Sequence, residues 1–250
     1  MNNILLVHIG MPKTGTTALQ NFLLINNDKL ERYGWCYPVL SGGLMGESGR
    51  LELSDIEKSG NGCWIYRSCV LNDIKSEWDK GMELVLKYLE NKNVIISAED
   101  IYDYGMEKFI TAVKEKYKNV KVIVYLRRQD RAIESRYSQW IKTQDECSTF
   151  KEFVDSNVVP ENYLLKLDLL SQMLGRENLI VRIYEKQQLI KHDIVADFLS
   201  VLGIPLGQDD WKRGGRENLS LKGNYLEISR LINSAQKIDG ILESKDGTWS

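Results

Sequence analysis

Short runs of apolar residues alternate along this chain with longer segments whose apolar positions recur at helical spacing. A continuous run such as Ile4–Ile9 is typical of a parallel strand buried on both faces. Strands are predicted at 4–9, 93–98, 118–126 and 178–184, and helices at 16–31, 78–89, 107–117, 193–202 and 221–233. Strands that alternate with helices imply βαβ units. We therefore expect an α/β fold with a parallel central sheet flanked by helices and ligands bound beyond the carboxyl ends of the strands.

One segment, residues 41–75, interrupts this rhythm. It is rich in glycine as far as Gly62 and shows little periodicity. Long irregular segments inside a compact domain are usually functional or mobile. We interpret it as a Gly-rich insertion near the ligand cleft of a single domain spanning 1–250, with a plain surface loop as the alternative.

Composition excludes several classes of partner. With 33 Lys+Arg against 35 Asp+Glu the formal charge is −2, so no chain-wide basic signal for nucleic acid exists. The 4 Cys form no CxxC pair and only 2 His are present, which predicts reduced thiols and no metal site. The amino terminus lacks a basic leader and no apolar run is long enough to span a membrane. We expect a cytoplasmic protein without integral membrane contact.

The strongest chemical signal is the glycine-containing turn at residues 10–17, Gly-Met-Pro-Lys-Thr-Gly-Thr-Thr. It follows a predicted strand and opens a predicted helix, where backbone N–H groups and the helix dipole bind phosphate. The spacing is close to GxxxxGK[ST], but Thr16 stands at the lysine position and Lys13 lies inside the loop. This departure argues against ATP or GTP hydrolysis and favours a cofactor with a shorter 5′ arm.

The segment from His8 to Gln20 resembles the 5′-phosphosulfate loop of sulfotransferases that use 3′-phosphoadenosine 5′-phosphosulfate (PAPS). The resemblance implies the P-loop nucleoside-triphosphatase-like sulfotransferase fold, PAPS as cofactor, 3′,5′-ADP as product and no metal. It also implies that the 5′-phosphosulfate is held by Lys13, Thr14, Gly15, Thr16 and Thr17. Lys13 has a catalytic role in this resemblance, because it would stabilise charge on the bridging oxygen as the sulfuryl group leaves.

A second element of the same family is similar to residues 127–135, where a strand ends in Arg127 and a helix bears Ser135. The resemblance implies that Arg127 and Ser135 bind the 3′-phosphate, with Arg128 as the alternative to Arg127. Arginine offers a bidentate fork for phosphate, and serine a hydroxyl donor. The late basic loop 212–218 resembles a third element and implies Arg216 as a phosphate contact; a charged surface loop is the alternative.

The acceptor hydroxyl needs a general base. Glu99 follows the strand 93–98 and is expected at the same sheet edge as Lys13 and Arg127. In the family that the chain resembles, the base comes from the strand end before the 3′-phosphate strand, so Glu99 is the first candidate. His8, Glu31 and the neighbouring Asp100 are weaker alternatives.

Three functions remain open on the sequence. The first is sulfuryl transfer to a hydroxyl-bearing small molecule or glycan, since residues 178–205 resemble bacterial carbohydrate sulfotransferase-like proteins. Aromatic residues suit a sugar site or simply close the core: Trp35, Tyr37, Trp64, Tyr66, Tyr102 and Tyr104. The rivals are a P-loop small-molecule kinase and a non-catalytic nucleotide-binding protein.

Overall fold

The computed structural model describes residues 3–11, 13–38, 60–70, 75–99, 101–102, 105–157, 162–207, 210–214 and 223–238. The chain divides into two compact units. Unit 1 comprises 1–127 and 162–215, and unit 2 comprises 128–161 and 216–250. The single-domain organisation stays a prediction.

Unit 1 is built on a parallel sheet. Its strands are β1 (Leu5–Ile9), β2 (Trp35–Cys36), β3 (Asn93–Ala98), β4 (Val120–Leu126) and β5 (Leu179–Ile183). They pair in the order β2-β3-β1-β4-β5, and every pair is parallel. β1 lies at the centre and is buried along its whole length, which explains its uninterrupted apolar sequence. The predicted α/β fold with a parallel sheet is confirmed.

The described helices overlap all five predicted segments, and further helices lie between them. They are α1 (Thr16–Ile25), α2 (Asn27–Arg32), α3 (Cys63–Val70), α4 (Lys75–Leu89), α5 (Met106–Lys116), α6 (Gln129–Thr143), α7 (Phe150–Asn157), α8 (Tyr163–Leu174), α9 (Ile194–Val201) and α10 (Asn224–Ile238). Short 3-10 helices cover Arg176–Asn178 and Ile190–His192. In unit 1 the main apolar core joins the sheet to α1 and α9.

The predicted single helix at 16–31 is wrong, because Asn26 breaks it into α1 and α2. The Asn26 side chain donates to the Phe22 carbonyl at 2.8 Å and to the Lys212 carbonyl at 2.9 Å. Its Oδ1 accepts the Lys212 N–H at 2.9 Å. These bonds give the backbone an alternative to continued helix, and they fix Lys212 against the end of α1.

Asn61 completes the outer edge of β3. β2 pairs with only the first two residues of β3. Beyond that point the Asn61 amide accepts the Ser97 N–H at 2.8 Å and donates to the Ile95 carbonyl at 3.0 Å, as a neighbouring strand would. Gly62 N–H then donates to the Ser97 carbonyl at 2.8 Å. The edge of β3 is therefore hydrogen-bonded without a longer β2.

The segment 41–75 is consequently not all loop. Residues 60–62 form the turn on β3, and α3 follows with its buried side chains facing the core. Residues 41–59 and 71–74 lie outside the described residues, and for them the insertion stays a prediction.

A buried carboxylate ties β4, β5 and α9 together. Asp197 is fully buried and accepts bonds from Tyr125 Oη at 2.9 Å, Arg182 Nε at 2.9 Å and the Ile190 N–H at 3.2 Å. Burial by itself raises the pKa of this carboxyl, but the donors, Arg182 foremost, hold the pKa below its usual value. The network fixes β5 beside β4 on the side of the sheet that α9 covers.

Unit 2 contains α6, α7 and α10. Its core is formed by Tyr137, Ile141 and Phe153. Asn233 on α10 donates to the Ile141 carbonyl at 2.8 Å, and Arg230 donates to the Cys147 carbonyl at 2.7 Å. The helix predicted at 221–233 is described from Asn224 to Ile238.

Candidate functional site

The carboxyl ends of the three central strands bring the predicted site residues of unit 1 to one sheet edge. β3, β1 and β4 are parallel neighbours. Glu99 follows β3, the loop 10–15 follows β1, and Arg127 follows β4. The Gly10 N–H donates to the Ala98 carbonyl at 3.0 Å. A Cβ on Gly10 would stand 2.9 Å from the Glu99 Cα, so the loop and Glu99 begin in direct contact.

Internal hydrogen bonds fix the shape of the loop. Thr14 is fully buried and donates from Oγ1 to the Met11 carbonyl at 2.7 Å. Thr16 Oγ1 reaches the same carbonyl at 3.4 Å. Both hydroxyl protons are thus used inside the loop, so Thr14 and Thr16 would contact a ligand through their backbone N–H groups.

Two loop residues have left-handed backbone conformations. Gly15 has φ 75° and Lys13 has φ 65°. A non-glycine residue in this region costs about 1 kcal/mol, and such strain concentrates at functional sites. The strained residue here is the lysine that the sequence singles out.

The amino end of α1 is open to an anion. Its N-cap is Gly15, which supplies no side-chain cap, and the first turn contains no acidic residue. Thr17 lies half-buried in that turn. Neither a capping side chain nor an acidic residue of the first turn offsets the positive end of the helix dipole, which favours a bound phosphate or sulfate group.

Arg127 is tied to the loop. Its Nη1 donates to the Lys13 carbonyl oxygen at 2.8 Å, and Tyr163 Oη donates to the Arg127 carbonyl at 2.9 Å. The side chain is half-buried, and its positive charge acts on the Tyr184 phenol. Arg127 therefore holds the loop from the β4 side.

Tyr184 is a site neighbour that the sequence analysis missed. A Cβ on Gly15 would lie 3.0 Å from its Oη. Burial raises the pKa of this phenol, while the nearby Arg127 opposes that change. Tyr184 ends the predicted strand 178–184, so the rule that ligands lie beyond strand ends provides the signal that could have found it.

The other residues predicted to contact phosphate differ in exposure and in the part of the chain to which they belong. Arg128 is exposed and pairs with Asp130, Nη2 to Oδ2 at 2.8 Å. Ser135 is half-buried on α6 in unit 2. Arg216 lies outside the described residues. In the basic loop the structure describes Arg213, which pairs with Asp193 at 2.6 Å.

The positions of His8 and Glu31 argue against either of them as the general base. His8 is fully buried, its Nδ1 is bonded to Ser97 Oγ, and burial lowers its pKa to about 4. Glu31 pairs with Lys92, which directly precedes β3 and so lies at the opposite edge of the sheet. Glu99 is half-buried at the loop edge, and Asp100 lies outside the described residues.

The aromatic residues considered for a sugar site mostly belong to the core. The four buried ones are Trp35, Tyr37, Tyr66 and Tyr102, and each is at most 7% exposed. Trp64 is half-buried, and Tyr104 is outside the described residues. The core alternative therefore holds for the four buried rings.

No group of three or more His, Cys, Asp or Glu in the described part of the chain is arranged to hold a metal ion. The four cysteines are free thiols. Among the described helices none is long and apolar enough to cross a membrane.

Comparison with protein-family models gives a match over most of the chain. The model of the sulfotransferase domain matches residues 4–221. An uncharacterised protein of Archaeoglobus fulgidus is 30% identical over 116 residues, which cover 45% of this chain and 31% of the relative. The chain thus matches about a third of that relative's length.

Solved structures give weaker likenesses. A sulfotransferase from Alicyclobacillus acidocaldarius is 15% identical with a TM-score of 0.49, and the match covers 94% of each chain. The sulfotransferase domain of the curacin biosynthetic pathway is 17% identical with a TM-score of 0.45, covering 98% of this chain and 94% of that one.

Proposed function

This chain belongs to the sulfotransferase family, and from that premise we propose that it transfers a sulfuryl group from PAPS to a hydroxyl acceptor. The single observation that carries the proposal is the shared sheet edge of the loop, Glu99 and Arg127. A base, an anion-binding loop and a fixed guanidinium in one place are the groups that in-line sulfuryl transfer requires.

The loop fits a 5′-phosphosulfate on the evidence of its own geometry. The amino end of α1 has no side-chain cap, and the close packing at Gly10 admits no side chain there. When bound, PAPS supplies the activated sulfuryl group and a 3′,5′-ADP leaving group. The loop N–H groups would bind its anionic oxygens, and Lys13 would neutralise charge that develops on the bridging oxygen.

Glu99 is the proposed base. It is adjacent to the loop at Gly10, and it would accept the proton of the acceptor hydroxyl. Arg127 would bind the 3′-phosphate while its bond to Lys13 keeps the loop in place. Ser135 and Arg216 are carried as further 3′-phosphate ligands on the sequence resemblance alone.

For the acceptor we propose a carbohydrate or glycolipid hydroxyl, which rests on the resemblance of residues 178–205 to carbohydrate sulfotransferase-like proteins. A P-loop kinase is disfavoured because Thr16, at the position of the kinase-type lysine, bonds within the loop. We place the protein in the cytoplasm as part of the same proposal.

Calorimetric titration with 3′,5′-ADP, 5′-AMP and ATP–Mg²⁺ tests the proposal. We expect 3′,5′-ADP to bind at least tenfold more tightly than the other two, since only it carries the 3′-phosphate. Equal affinity for 5′-AMP contradicts the 3′-phosphate site, and a preference for ATP–Mg²⁺ supports the kinase. Consumption of PAPS then separates an enzyme from a protein that only binds nucleotides.

A further inference from the structure

Three buried side chains meet beneath the site, and we call them the Ser97 relay. Ser97 Oγ lies 2.8 Å from His8 Nδ1 and 2.9 Å from Gln20 Nε2. Each of the three residues is at most 1% exposed. Ser97 lies on β3, His8 on β1 and Gln20 on α1. The relay therefore joins two central strands to α1, the helix that follows the phosphate loop.

The direction of the hydrogen bonds follows from the donors present. The Gln20 amide nitrogen only donates, so Ser97 Oγ accepts there, and we assign its single proton to the bond with His8 Nδ1. The His8 ring is neutral near pH 7, since burial lowers its pKa to about 4. Its proton is then on Nε2, which has no hydrogen-bond partner among the described groups and lies among the Tyr125 and Phe198 rings.

Each member of the relay is a short step along the chain from a site residue. His8 precedes Gly10 by two residues, and Ser97 precedes Glu99 by two. Gln20 lies one helical turn beyond Thr16. A change of position at the relay is therefore transmitted directly to the loop and to Glu99.

The turn at 60–62 fixes Ser97 from the outside. Ser97 N–H donates to Asn61 Oδ1, and its carbonyl accepts the Gly62 N–H, each at 2.8 Å. A Cβ on Gly60 would stand 2.2 Å from the Ser97 carbonyl oxygen and 2.4 Å from Gln20 Nε2. Only glycine allows this close approach, so the backbone and the hydroxyl of Ser97 are both held.

Stability alone does not explain a polar relay at this place. An apolar core of the same shape would be at least as stable, and a buried polar atom without a partner is costly. What hydrogen bonds add is a fixed distance and direction between elements. In-line transfer depends on such geometry, since a misplacement of about 1 Å can cost about 100-fold in rate.

We propose that the Ser97 relay is a positioning element that fixes the separation between the phosphate loop and Glu99. The inference rests on the proposed function, because it assigns Glu99 and the loop to one reaction. His8, Ser97 and Gln20 touch neither substrate nor cofactor in this role.

The test compares Ser97→Ala and Gln20→Met with the wild type and with Tyr117→Phe. Tyr117 Oη donates to the Asn3 carbonyl at 2.6 Å at the far edge of the sheet, so Tyr117→Phe is the control for loss of one internal hydrogen bond. Two readouts are taken on folded protein: the Kd for 3′,5′-ADP, and the rate of 3′,5′-ADP formation from PAPS with water as acceptor.

We expect Ser97→Ala to raise the Kd about tenfold and to lower the rate at saturating PAPS by a further tenfold. Ser97→Thr keeps the hydroxyl and should recover both within about threefold of wild type, and Tyr117→Phe should change neither. A purely structural role would reduce thermal stability without moving these readouts. If Ser97→Ala does not fold, Gln20→Met, which removes the amide donor but keeps the side-chain length, provides the same comparison.

Folded Ser97→Ala with Kd and rate within twofold of wild type overturns the positioning role while leaving the proposed function intact. A wild type that fails to bind 3′,5′-ADP overturns the proposed function and the positioning role with it.

Discussion

The guanidinium of Arg127, at the end of β4, donates from Nη1 to the backbone carbonyl oxygen of Lys13 at 2.8 Å. The two residues are 114 positions apart in the chain. The bond joins the strand proposed to bind the 3′-phosphate to the loop proposed to bind the 5′-phosphosulfate. It also holds the residue whose backbone is strained, with φ 65°.

Arg127→Met is expected to raise the Kd for 3′,5′-ADP at least tenfold. The variant loses both the predicted phosphate fork and the bond that holds the loop, and a hydrogen bond to a charged group contributes about 1.5–3 kcal/mol. Arg128→Met is the matched control, because Arg128 is exposed and its pair with Asp130 is worth little. A larger loss of affinity for Arg128→Met would move the 3′-phosphate contact to that residue. Calorimetry measures both.

Gly15→Ala is expected to weaken 3′,5′-ADP binding at least tenfold and to reduce the free energy of unfolding by about 1–2 kcal/mol. The new Cβ combines φ 75° with contacts of 3.0 Å to Tyr184 Oη and 3.2 Å to Ile194 Cδ1. Gly203→Ala is the control, since Gly203 has φ 73° and nothing within 4 Å of the added atom. The Gly203→Ala variant should unfold at a lower temperature because of backbone strain, and its affinity for 3′,5′-ADP should be unchanged. Equal affinities of the two variants for 3′,5′-ADP would show that the contacts of the new Cβ at position 15 do not affect binding.

The central strands and the loop were predictable because their local patterns coincide with the tertiary structure. β1 and β3 are mostly apolar and almost fully buried. Other features depend on partners distant in sequence. The end of α1 is determined by Asn26 and its bonds to Lys212, and the edge of β3 by Asn61. No window of sequence around either asparagine contains that information.

Weak periodicity hid other elements. β2 has two residues, too few to form a pattern. α8 has leucines on several sides, and Leu164 and Leu165 are exposed, so its apolar positions do not mark one face. The aromatic residues were ambiguous for a different reason: a ring has the same composition in a core and in a sugar site, and only burial distinguishes them.

Lys13→Ala is expected to lower the rate of sulfuryl transfer from PAPS by about 100- to 1000-fold, the usual effect of removing one charge-stabilising group. Affinity for 3′,5′-ADP should also fall, because the bridging oxygen remains on the 5′-phosphate of that product and carries the charge that Lys13 would neutralise. Measuring the rate at saturating PAPS separates the loss of rate from the loss of affinity. Alanine and lysine both carry a Cβ, so the strain at φ 65° is unchanged. Single-turnover formation of 3′,5′-ADP measures the rate.

Lys191→Ala controls for this variant, since Lys191 is an exposed lysine with φ 53°. Its rate should equal that of the wild type. A Lys13→Ala protein that retains more than half of the wild-type rate would show that the leaving group needs no lysine.

Glu99→Gln is expected to lower turnover of PAPS by about 100- to 10,000-fold and to leave 3′,5′-ADP affinity near normal. The amide keeps the size of the side chain and removes its ability to accept a proton. Glu107→Gln, at an exposed position in the first turn of α5, is the control and should behave as wild type. Full activity in Glu99→Gln would mean that another group takes the proton.

His8→Asn is expected to make the free energy of unfolding less dependent on pH below pH 6.5. Burial lowers the pKa of His8 from its ordinary 6.5 to about 4. Above pH 6.5 neither the folded nor the unfolded state protonates this ring, so it contributes no pH dependence. Between pH 6.5 and 4 the unfolded state binds a proton that the folded state does not, so the free energy of unfolding falls, by about 3 kcal/mol at the lower limit.

Asparagine places an amide where Nδ1 bonded to Ser97, so the local hydrogen bond is kept while the titration is removed. Other groups that titrate in both proteins, Asp197 included, also reduce stability at acid pH, but their effect cancels in the difference between the two stability curves. Urea unfolding from pH 7 to 4 should therefore give a wild-type curve that falls more steeply than the His8→Asn curve. Parallel curves for wild type and His8→Asn would mean that His8 gains its proton in the folded state as easily as in the unfolded chain, which its full burial between Tyr125 and Phe198 opposes.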